Sequence, residues 1–194
     1  MSRGLRAEYL DGQGFELDND NLSSIDSWTG IASIASCAGG RQVAAWVEIS
    51  DDLDAPYQVV AQWLDGNYLT YEQPFLIAQG RQGIIAALQV VTTSTCDAIV
   101  LWTEHFDYVA DSGASFARMI RDGGVLLSPI TPIDGELSRL AMTSDSGFIA
   151  VGTAESAETR SDIIAQSYCL QMDEDPLCGD ATCAGQAAGD RAVW

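Results

Sequence analysis

The chain has no lysine and a single histidine, His105, and all of its few basic residues are arginines. Nine basic residues against 28 acidic ones give a formal net charge of −19. A protein this negative repels nucleic-acid phosphates and anionic membrane surfaces, so neither is expected as a partner. One histidine also excludes histidine-rich zinc sites and mechanisms that use two imidazoles.

Long apolar runs are missing as well. No segment approaches the roughly 20 apolar residues of a membrane-spanning helix, so no transmembrane segment is expected, and the first residues show no signal-peptide core. No segment keeps a helical apolar period over three turns, so little helix is expected. Phosphate-binding glycine loops and the G-x-S-x-G nucleophile elbow are also absent.

What the sequence does contain is a recurring series of short, β-prone apolar runs. The most distinctive runs carry tryptophan or glycine at one position: VAAWVE at 43–48, IVLWTE at 99–104 and IAVGTA at 149–154. A run and a polar turn precede each of them: IASIAS at 31–36, IIAALQVV at 84–91 and LSRLAMTS at 137–144. An acidic loop and a run with a central alanine follow: YQVVAQWLDGNYL at 57–69, ASFARMIRDGGVL at 114–126 and DIIAQSYCLQMDE at 162–174.

One unit therefore reads strand, turn, strand, acidic loop, strand, Asp-Gly turn and a short fourth strand such as PFLI at 74–77. Units of about 50 residues with four antiparallel strands are typical of propeller blades. The pattern predicts an all-β, β-propeller-like array of four-stranded antiparallel blades, about three and a half repeats, over residues 1–170. Residues 171–194 are expected to be a flexible, cysteine-containing tail.

The count of strands leaves the closure of this array open. The segment GLRAEYLDGQGFEL at 4–17 would supply the last two strands of a blade, two full units follow, and the third unit stops after its third strand. A compact ring is one outcome, and an open arc that self-associates through its exposed strand edges is another. A β-sandwich with a similar number of strands is the alternative fold.

The repeated unit resembles the repeat of secreted or surface β-propeller proteins of bacteria, of the myxobacterial type. Residues 43–48 and 99–104 match its tryptophan strand, and four alanines match its third strand: Ala7, Ala61, Ala117 and Ala165. The tail segment CGDATC at 178–183 resembles the start of a cysteine-rich C-terminal module, truncated here. The resemblance implies an extracellular or cell-envelope location.

Acidic loops follow the three tryptophan-type runs. In a propeller, such loops emerge on one face, and hard cations such as Ca²⁺ bind several oxygen ligands. Their carboxylates are the candidate binding residues: Asp51, Asp52, Asp54, Glu104, Asp107, Asp111, Glu155, Glu158 and Asp162. The other interpretation is that these loops are solvated and acidic because the whole chain is acidic. No loop has the complete EF-hand pattern.

For the tryptophans and the histidine, a structural role is expected rather than ligand binding or catalysis. Trp46 and Trp102 lie in the middle of apolar runs, so we expect them to form the core with Ala61, Ala117 and Ala165 rather than to stack on a ligand. Asp107 could orient His105, but we expect His105 to be an exposed loop residue.

The chain has five cysteines, an odd number that leaves at least one thiol unpaired. Cys178 and Cys183 could form a disulfide that closes a small loop, worth about 2 kcal/mol. Together with Cys169 they give three ligands, one fewer than a cysteine-only zinc site needs. Cys37 and Cys96 lie near equivalent turns, but at different distances from their tryptophans, so no bond between them is expected.

These observations favour a non-catalytic binding or surface module for a protein or glycan ligand, with Ca²⁺ as the one cofactor to consider. No catalytic constellation stands out, so an enzyme is not expected. The alternatives are a propeller-type glycan hydrolase, because so many acids guarantee carboxylate pairs at glycosidase-like separations, or a structural fragment of a longer secreted protein.

Overall fold

The structure is a computed structural model. It describes residues 6–10, 16–21, 27–50, 56–64, 73–80, 84–105, 113–121, 124–127, 131–133, 136–142, 147–154 and 162–169. The strands in these parts are β1 (Arg6–Leu10), β2 (Glu16–Asn21), β3 (Ser27–Ser36), β4 (Gln42–Ser50), β5 (Gln58–Leu64), β6 (Phe75–Gln79), β7 (Ile84–Thr92), β8 (Ala98–His105), β9 (Gly113–Arg121), β10 (Val125–Leu126), β11 (Thr131–Ile133), β12 (Glu136–Met142), β13 (Gly147–Ala154) and β14 (Asp162–Cys169).

These strands pair antiparallel into four sheets. The N-terminal sheet is β1-β2, and the first sheet has the order β3-β4-β5-β6. The second sheet has the order β7-β8-β9-β10, with β11 also pairing with β9, and the third sheet is β12-β13-β14. The predicted all-β, antiparallel class is thus confirmed, and neighbouring strands of each sheet follow one another along the chain as in a meander.

The second strands of the first and second sheets are buried because both of their faces are apolar. The strand β8 is buried from Ala98 to Glu104, and β4 is buried from Val43 to Val47. A continuous apolar run of this kind indicates a strand that is covered on both sides. The first strand β3 alternates between exposed and half-buried residues instead, because only one of its faces is covered.

The three larger sheets share one register at the tryptophan strand. In each of them the central alanine of the third strand lies opposite the residue that precedes Trp46, Trp102 or Gly152. The pairs are Ala45↔Ala61, Leu101↔Ala117 and Val151↔Ala165. The alignment read from the sequence therefore corresponds to equivalent positions in the three sheets.

The sheets stack face to face, and their first strands meet. Strand β7 contacts β3 on one side and β12 on the other. The backbone N–H of Val90 donates to Ser33 Oγ at 3.1 Å. The side-chain amide of Gln89 donates to the Leu140 carbonyl at 3.2 Å and accepts from the Leu140 N–H at 2.7 Å. These side chains replace the ladder hydrogen bonds that separate sheets cannot make.

The core consists of layers between successive sheets. Trp63 and Trp102 lie in the layer between the first and second sheets, and Leu101 and Phe148 lie between the second and third. Trp46 lies on the opposite face of the first sheet, with Ala44, Val60 and Leu64. Because side chains alternate along a strand, Trp46 and Trp102 point in the same direction along the stack, toward the preceding part of the chain.

Candidate functional site

The structure describes few of the predicted acidic binding residues. Seven of the nine lie outside the described residues: Asp51, Asp52, Asp54, Asp107, Asp111, Glu155 and Glu158. Asp162 is the first residue of β14, and its backbone pairs with Ala154. Glu104 lies within β8. The sequence assigned these two residues to acidic loops, which is wrong, because the carboxylates at the ends of the runs at 99–104 and 162–174 belong to the strands themselves.

Glu104 is a buried acceptor at the boundary between two sheets. Its side chain is 8% exposed. Its Oε1 atom accepts a hydrogen bond from Trp102 Nε1 at 3.1 Å and another from the Tyr57 hydroxyl. Trp102 belongs to the same strand, whereas Tyr57 immediately precedes β5 in the first sheet. We call these three residues the Glu104 cluster, and they tie the second sheet to the first.

Tyr57 is held firmly enough to keep this bond. Its carbonyl accepts a hydrogen bond from the Gly80 N–H at 3.1 Å, and its ring is buried. The Gly80 backbone lies so close to that ring that a Cβ atom would overlap it. Glycine at position 80 is therefore required by space, and the close approach fixes where the Tyr57 hydroxyl points.

The first sheet contains a counterpart of half of this cluster. Trp46 Nε1 donates to Glu48 Oε1 at 3.0 Å, two residues along the same strand. Residues two apart lie on one face of a strand, which is why the Trp-x-Glu pattern can close this bond. The third sheet has Gly152 and Ala154 at these positions and cannot form it.

Trp46 and Trp102 both belong to the core, as predicted. Trp46 is fully buried and Trp102 is 1% exposed. The rings of Trp102 and Phe116 stack with centroids 5.7 Å apart and an interplanar angle of 24°. Ala61 and Ala117 are buried as well, and Ala165 is half-buried. A ligand could not stack on either indole without opening the core.

The surroundings of Glu104 change its acidity. Burial raises the pKa of the Glu104 carboxyl above its ordinary value. A raised pKa is what a general acid needs, but this carboxyl is buried and its Oε1 already accepts two internal hydrogen bonds. Glu104 is therefore assigned a structural role, and its protonation state is expected to affect the free energy of unfolding.

We expect the replacement Glu104→Gln to change how stability depends on pH. As pH rises through the unfolded pKa toward the raised folded pKa, the unfolded state loses its proton first, so the free energy of unfolding falls. Glutamine keeps an acceptor oxygen and does not titrate. The stability of E104Q relative to the unmodified chain should therefore increase across this window and then level off above the folded pKa.

Urea titrations at several pH values measure this difference, in which the titrations of all other groups cancel. Glu48→Gln is the matched control, since it makes the same change at a half-buried carboxyl. Parallel pH profiles for E104Q and the unmodified chain would show that burial does not affect the protonation of Glu104.

His105 is the last residue of β8, where its backbone pairs with Ile84 and Gly113. It is half-buried, so the expectation of an exposed loop histidine is wrong, because β8 extends one residue beyond the apolar run at 99–104. Asp107, its suggested partner, lies outside the described residues.

Cys37 and Cys96 form a disulfide, with Cα atoms 5.3 Å apart. The expectation of no bond between them is therefore wrong. The two hairpin turns close alike, through Cys37 N–H to Arg41 O at 2.9 Å and Thr93 N–H to Asp97 O at 2.7 Å. Cys37 begins its turn, whereas Cys96 stands fourth in the other, so the bond crosses diagonally between neighbouring sheets.

The backbone at Cys96 adopts a conformation that usually needs glycine. Its φ is 64°, and Gly40, at the same place in the first turn, has a φ of 84°. A residue with a Cβ atom loses about 1–2 kcal/mol in the left-handed region. The cysteine is the residue that can join the two sheets from this position, so the strain accompanies a covalent link.

The second turn also holds an ion pair between a buried aspartate and an exposed arginine. Asp97 is buried, and its carboxylate accepts hydrogen bonds from Arg121 Nε at 2.8 Å and from Arg121 Nη2 at 3.1 Å. Its backbone N–H donates to Thr93 Oγ1 at 2.9 Å. The pair fixes the turn to β9, next to the disulfide.

No group of three or more His, Cys, Asp or Glu side chains that could hold a metal ion occurs among the residues that the structure describes. No helix with the length and apolar character of a membrane span occurs in the same parts of the chain. Cys178 and Cys183 lie outside them, as does the whole predicted tail.

Sequence reasoning missed Tyr57, Asp97 and Arg121. One signal for the Glu104 cluster was present, since Trp-x-Glu occurs in both tryptophan runs. In the comparisons with known proteins, no protein-family model matches this chain and no curated protein matches it.

Proposed function

We propose that this protein is a non-catalytic binding or surface module of β-propeller type, located in an extracellular or cell-envelope compartment. In this proposal each of the three larger sheets is one blade, and the innermost strands of successive blades are β3, β7 and β12. The contacts of β7 with both β3 and β12 support this arrangement, because the first strands of neighbouring blades lie side by side around a propeller axis.

The location is supported by the disulfide between Cys37 and Cys96. Structural disulfides form and persist in oxidising compartments and are rare in reducing ones. This bond joins two sheets across a sequence separation of 59 residues, so it is part of how the sheets stack. A disulfide that links two sheets therefore favours an oxidising compartment outside the cytoplasm.

The observation that carries the binding proposal is the hydrogen bond between Tyr57 and Glu104. Tyr57 closely follows the loop with Asp51, Asp52 and Asp54, and Glu104 ends just before the loop with Asp107 and Asp111. The two acidic loops therefore start from the same end of the stack, opposite the disulfide-linked turns. The proposed binding face is this end, where the loops would supply carboxylate oxygens to Ca²⁺ or to a cationic ligand.

Calorimetric titration of the purified chain with CaCl₂, with thermal unfolding followed in parallel, tests the metal part. We expect heat of binding and a higher Tm at about 1 mM free calcium, the range of extracellular calcium modules, since a ligand that binds only the folded state stabilises it. Both effects should be lost when Asp51, Asp52 and Asp54 are changed to Asn.

No heat and no shift of Tm at that concentration would contradict the proposal that the loops bind calcium.

A panel of chromogenic glycosides tests the proposal that the protein is not an enzyme. Turnover that disappears when one particular Asp or Glu is replaced would contradict it and would favour a glycan hydrolase instead.

A further inference from the structure

The three positions that form the Glu104 cluster between the first and second sheets hold small residues between the second and third sheets. The equivalent residues are Gly113 for Tyr57, Gly152 for Trp102 and Ala154 for Glu104. Glycine and alanine side chains have no hydrogen-bonding group and are too short to reach a neighbouring sheet. Gly152 is buried, so this position lies inside the stack without an indole. The contact that ties the first two sheets together therefore cannot form at these positions in the next layer.

The disulfide also ties the first sheet to the second and cannot be repeated between the second and the third. Cys96 is bonded to Cys37, and residues 84–133, which span the second sheet, contain no other cysteine. The connection between β12 and β13, residues 143–146, reads TSDS. No thiol of the second sheet is therefore left to form a covalent link with the third.

Further hydrogen bonds hold the first and second sheets together at both edges. At the first strands, Thr92 Oγ1 donates to the Ser36 carbonyl at 2.8 Å. At the fourth strand of the first sheet, Arg118 Nη1 donates to the Ile77 carbonyl at 2.7 Å. With the disulfide at the turn end and the Glu104 cluster at the loop end, these bonds fasten the two sheets to each other on every side.

The third sheet packs on the second through an apolar layer. The buried members of this layer are Ile99, Leu101, Ala117, Met119, Leu127, Leu140, Phe148 and Ala150. The side chain of Gln89 adds two hydrogen bonds to the backbone of Leu140. Apolar contacts are non-directional, and a glycine inside a strand, such as Gly152, weakens it. The two sheets can therefore separate without breaking the disulfide or removing the donors of Glu104.

We propose that the third sheet is a gate on the second sheet: β12, β13 and β14 open together while the first and second sheets stay joined. The three strands move as one unit because β13 pairs with β12 on one side and β14 on the other. Opening exposes Leu101 and the buried hydroxyls of Thr103 and Ser115, which hydrogen-bond to each other at 2.8 Å. Cooperative units that open below the free energy of global unfolding often coincide with such supersecondary motifs. The proposal is independent of what the acidic loops bind.

Hydrogen–deuterium exchange of the full-length, oxidised chain, followed by mass spectrometry of its peptides, tests the gate. The exchange is measured without urea and at urea concentrations below the unfolding transition. We expect peptides from β12, β13 and β14 to exchange about tenfold faster than those from β4 and β8, because the gate opens more often than the whole chain unfolds.

Two matched variants separate the gate from global unfolding. Leu88 and Leu140 lie in first strands and are 7% and 6% exposed, but Leu88 belongs to the layer between the first and second sheets and Leu140 to the next layer. Leu88→Ala should speed exchange in β4 and β8 and leave β12–β14 unchanged, because Leu88 stays buried when the gate is open. Leu140→Ala should speed exchange in all three sheets, because its contacts are lost in the open and the unfolded states alike.

Circular dichroism establishes that each variant is folded. If Leu88→Ala does not fold, Cys37→Ser with Cys96→Ser takes its place, because it also loosens the first and second sheets alone. Exchange in β12–β14 that is as slow as in β4 and β8, or that is accelerated by loosening the first two sheets, would overturn the proposal, since the three sheets would then open together. None of these results depends on calcium or on a glycan, so they leave the proposed binding function to its own test.

Discussion

Replacing Trp102 with alanine is expected to lower the free energy of unfolding by about 3–5 kcal/mol, as large aromatic truncations in protein cores do. The indole fills the layer between the first and second sheets, where it stacks on Phe116. Its N–H group is one of the two donors to the buried Glu104. The variant therefore loses apolar contacts, leaves a cavity and removes a hydrogen bond from a buried carboxyl.

Urea or guanidinium titration followed by circular dichroism measures this loss. Trp102→Phe is the matched control, because it keeps a ring in the layer but cannot donate to Glu104. We expect its stability to lie between those of the unmodified chain and W102A. A loss below about 1 kcal/mol in W102A would mean that the indole is not part of a packed core.

Replacing both Cys37 and Cys96 with serine is expected to have an effect of similar size. The bond closes a loop with a sequence separation of 59 residues. Chain-entropy estimates lie between about 3 kcal/mol for a 15-residue loop and about 4.7 kcal/mol for a 100-residue loop. Because the bond joins two sheets, its loss should also loosen their packing, so the layer around Trp102 becomes more accessible to solvent.

Denaturant titration under oxidising conditions measures the effect, and tryptophan fluorescence reports on the layer. Each single serine variant should match the double variant, since each removes the same bond. Adding a dithiol reductant to the unmodified chain should reproduce their midpoint. If the unmodified chain and the double variant unfold at the same denaturant concentration, the disulfide is not part of the folded protein.

The sequence predicted the strands well where one simple rule controls them. The runs around Trp46 and Trp102 are apolar on both faces, and such runs become central strands that are buried on both faces. The central alanines could be aligned because small residues recur at one position, and the structure places Ala61, Ala117 and Ala165 at equivalent register positions.

The predictions from sequence were wrong where contacts between distant parts of the chain determine whether a residue is buried. Glu104 ends an apolar run, so its charge suggested a loop, but Tyr57 and Trp102 supply donors that allow it to be buried. Tyr57 precedes it by 47 residues, and no local pattern connects the two. The difference between burying and exposing Glu104 therefore depends on how the sheets stack.

The disulfide between Cys37 and Cys96 was not predicted, for a related reason. Cys37 and Cys96 were compared by their distance from the tryptophans, which assumes that bonded cysteines occupy the same position in each turn. A bond between stacked turns can instead join different positions, as long as the Cα atoms come within reach. The left-handed backbone at Cys96 is a tertiary feature that its neighbours in sequence do not reveal.

The central claim is that successive sheets stack with equivalent turns side by side, and disulfide mapping tests it most directly. Trypsin cleaves only after arginine in this lysine-free chain, so Cys37 lies in peptide 7–41 and Cys96 in peptide 82–118. Mass spectrometry of the alkylated, unreduced digest should find these two peptides linked and should separate them after reduction. Alkylation of Cys37 and Cys96 without reduction, or bonds from either to Cys169, Cys178 or Cys183, would contradict the stacked arrangement.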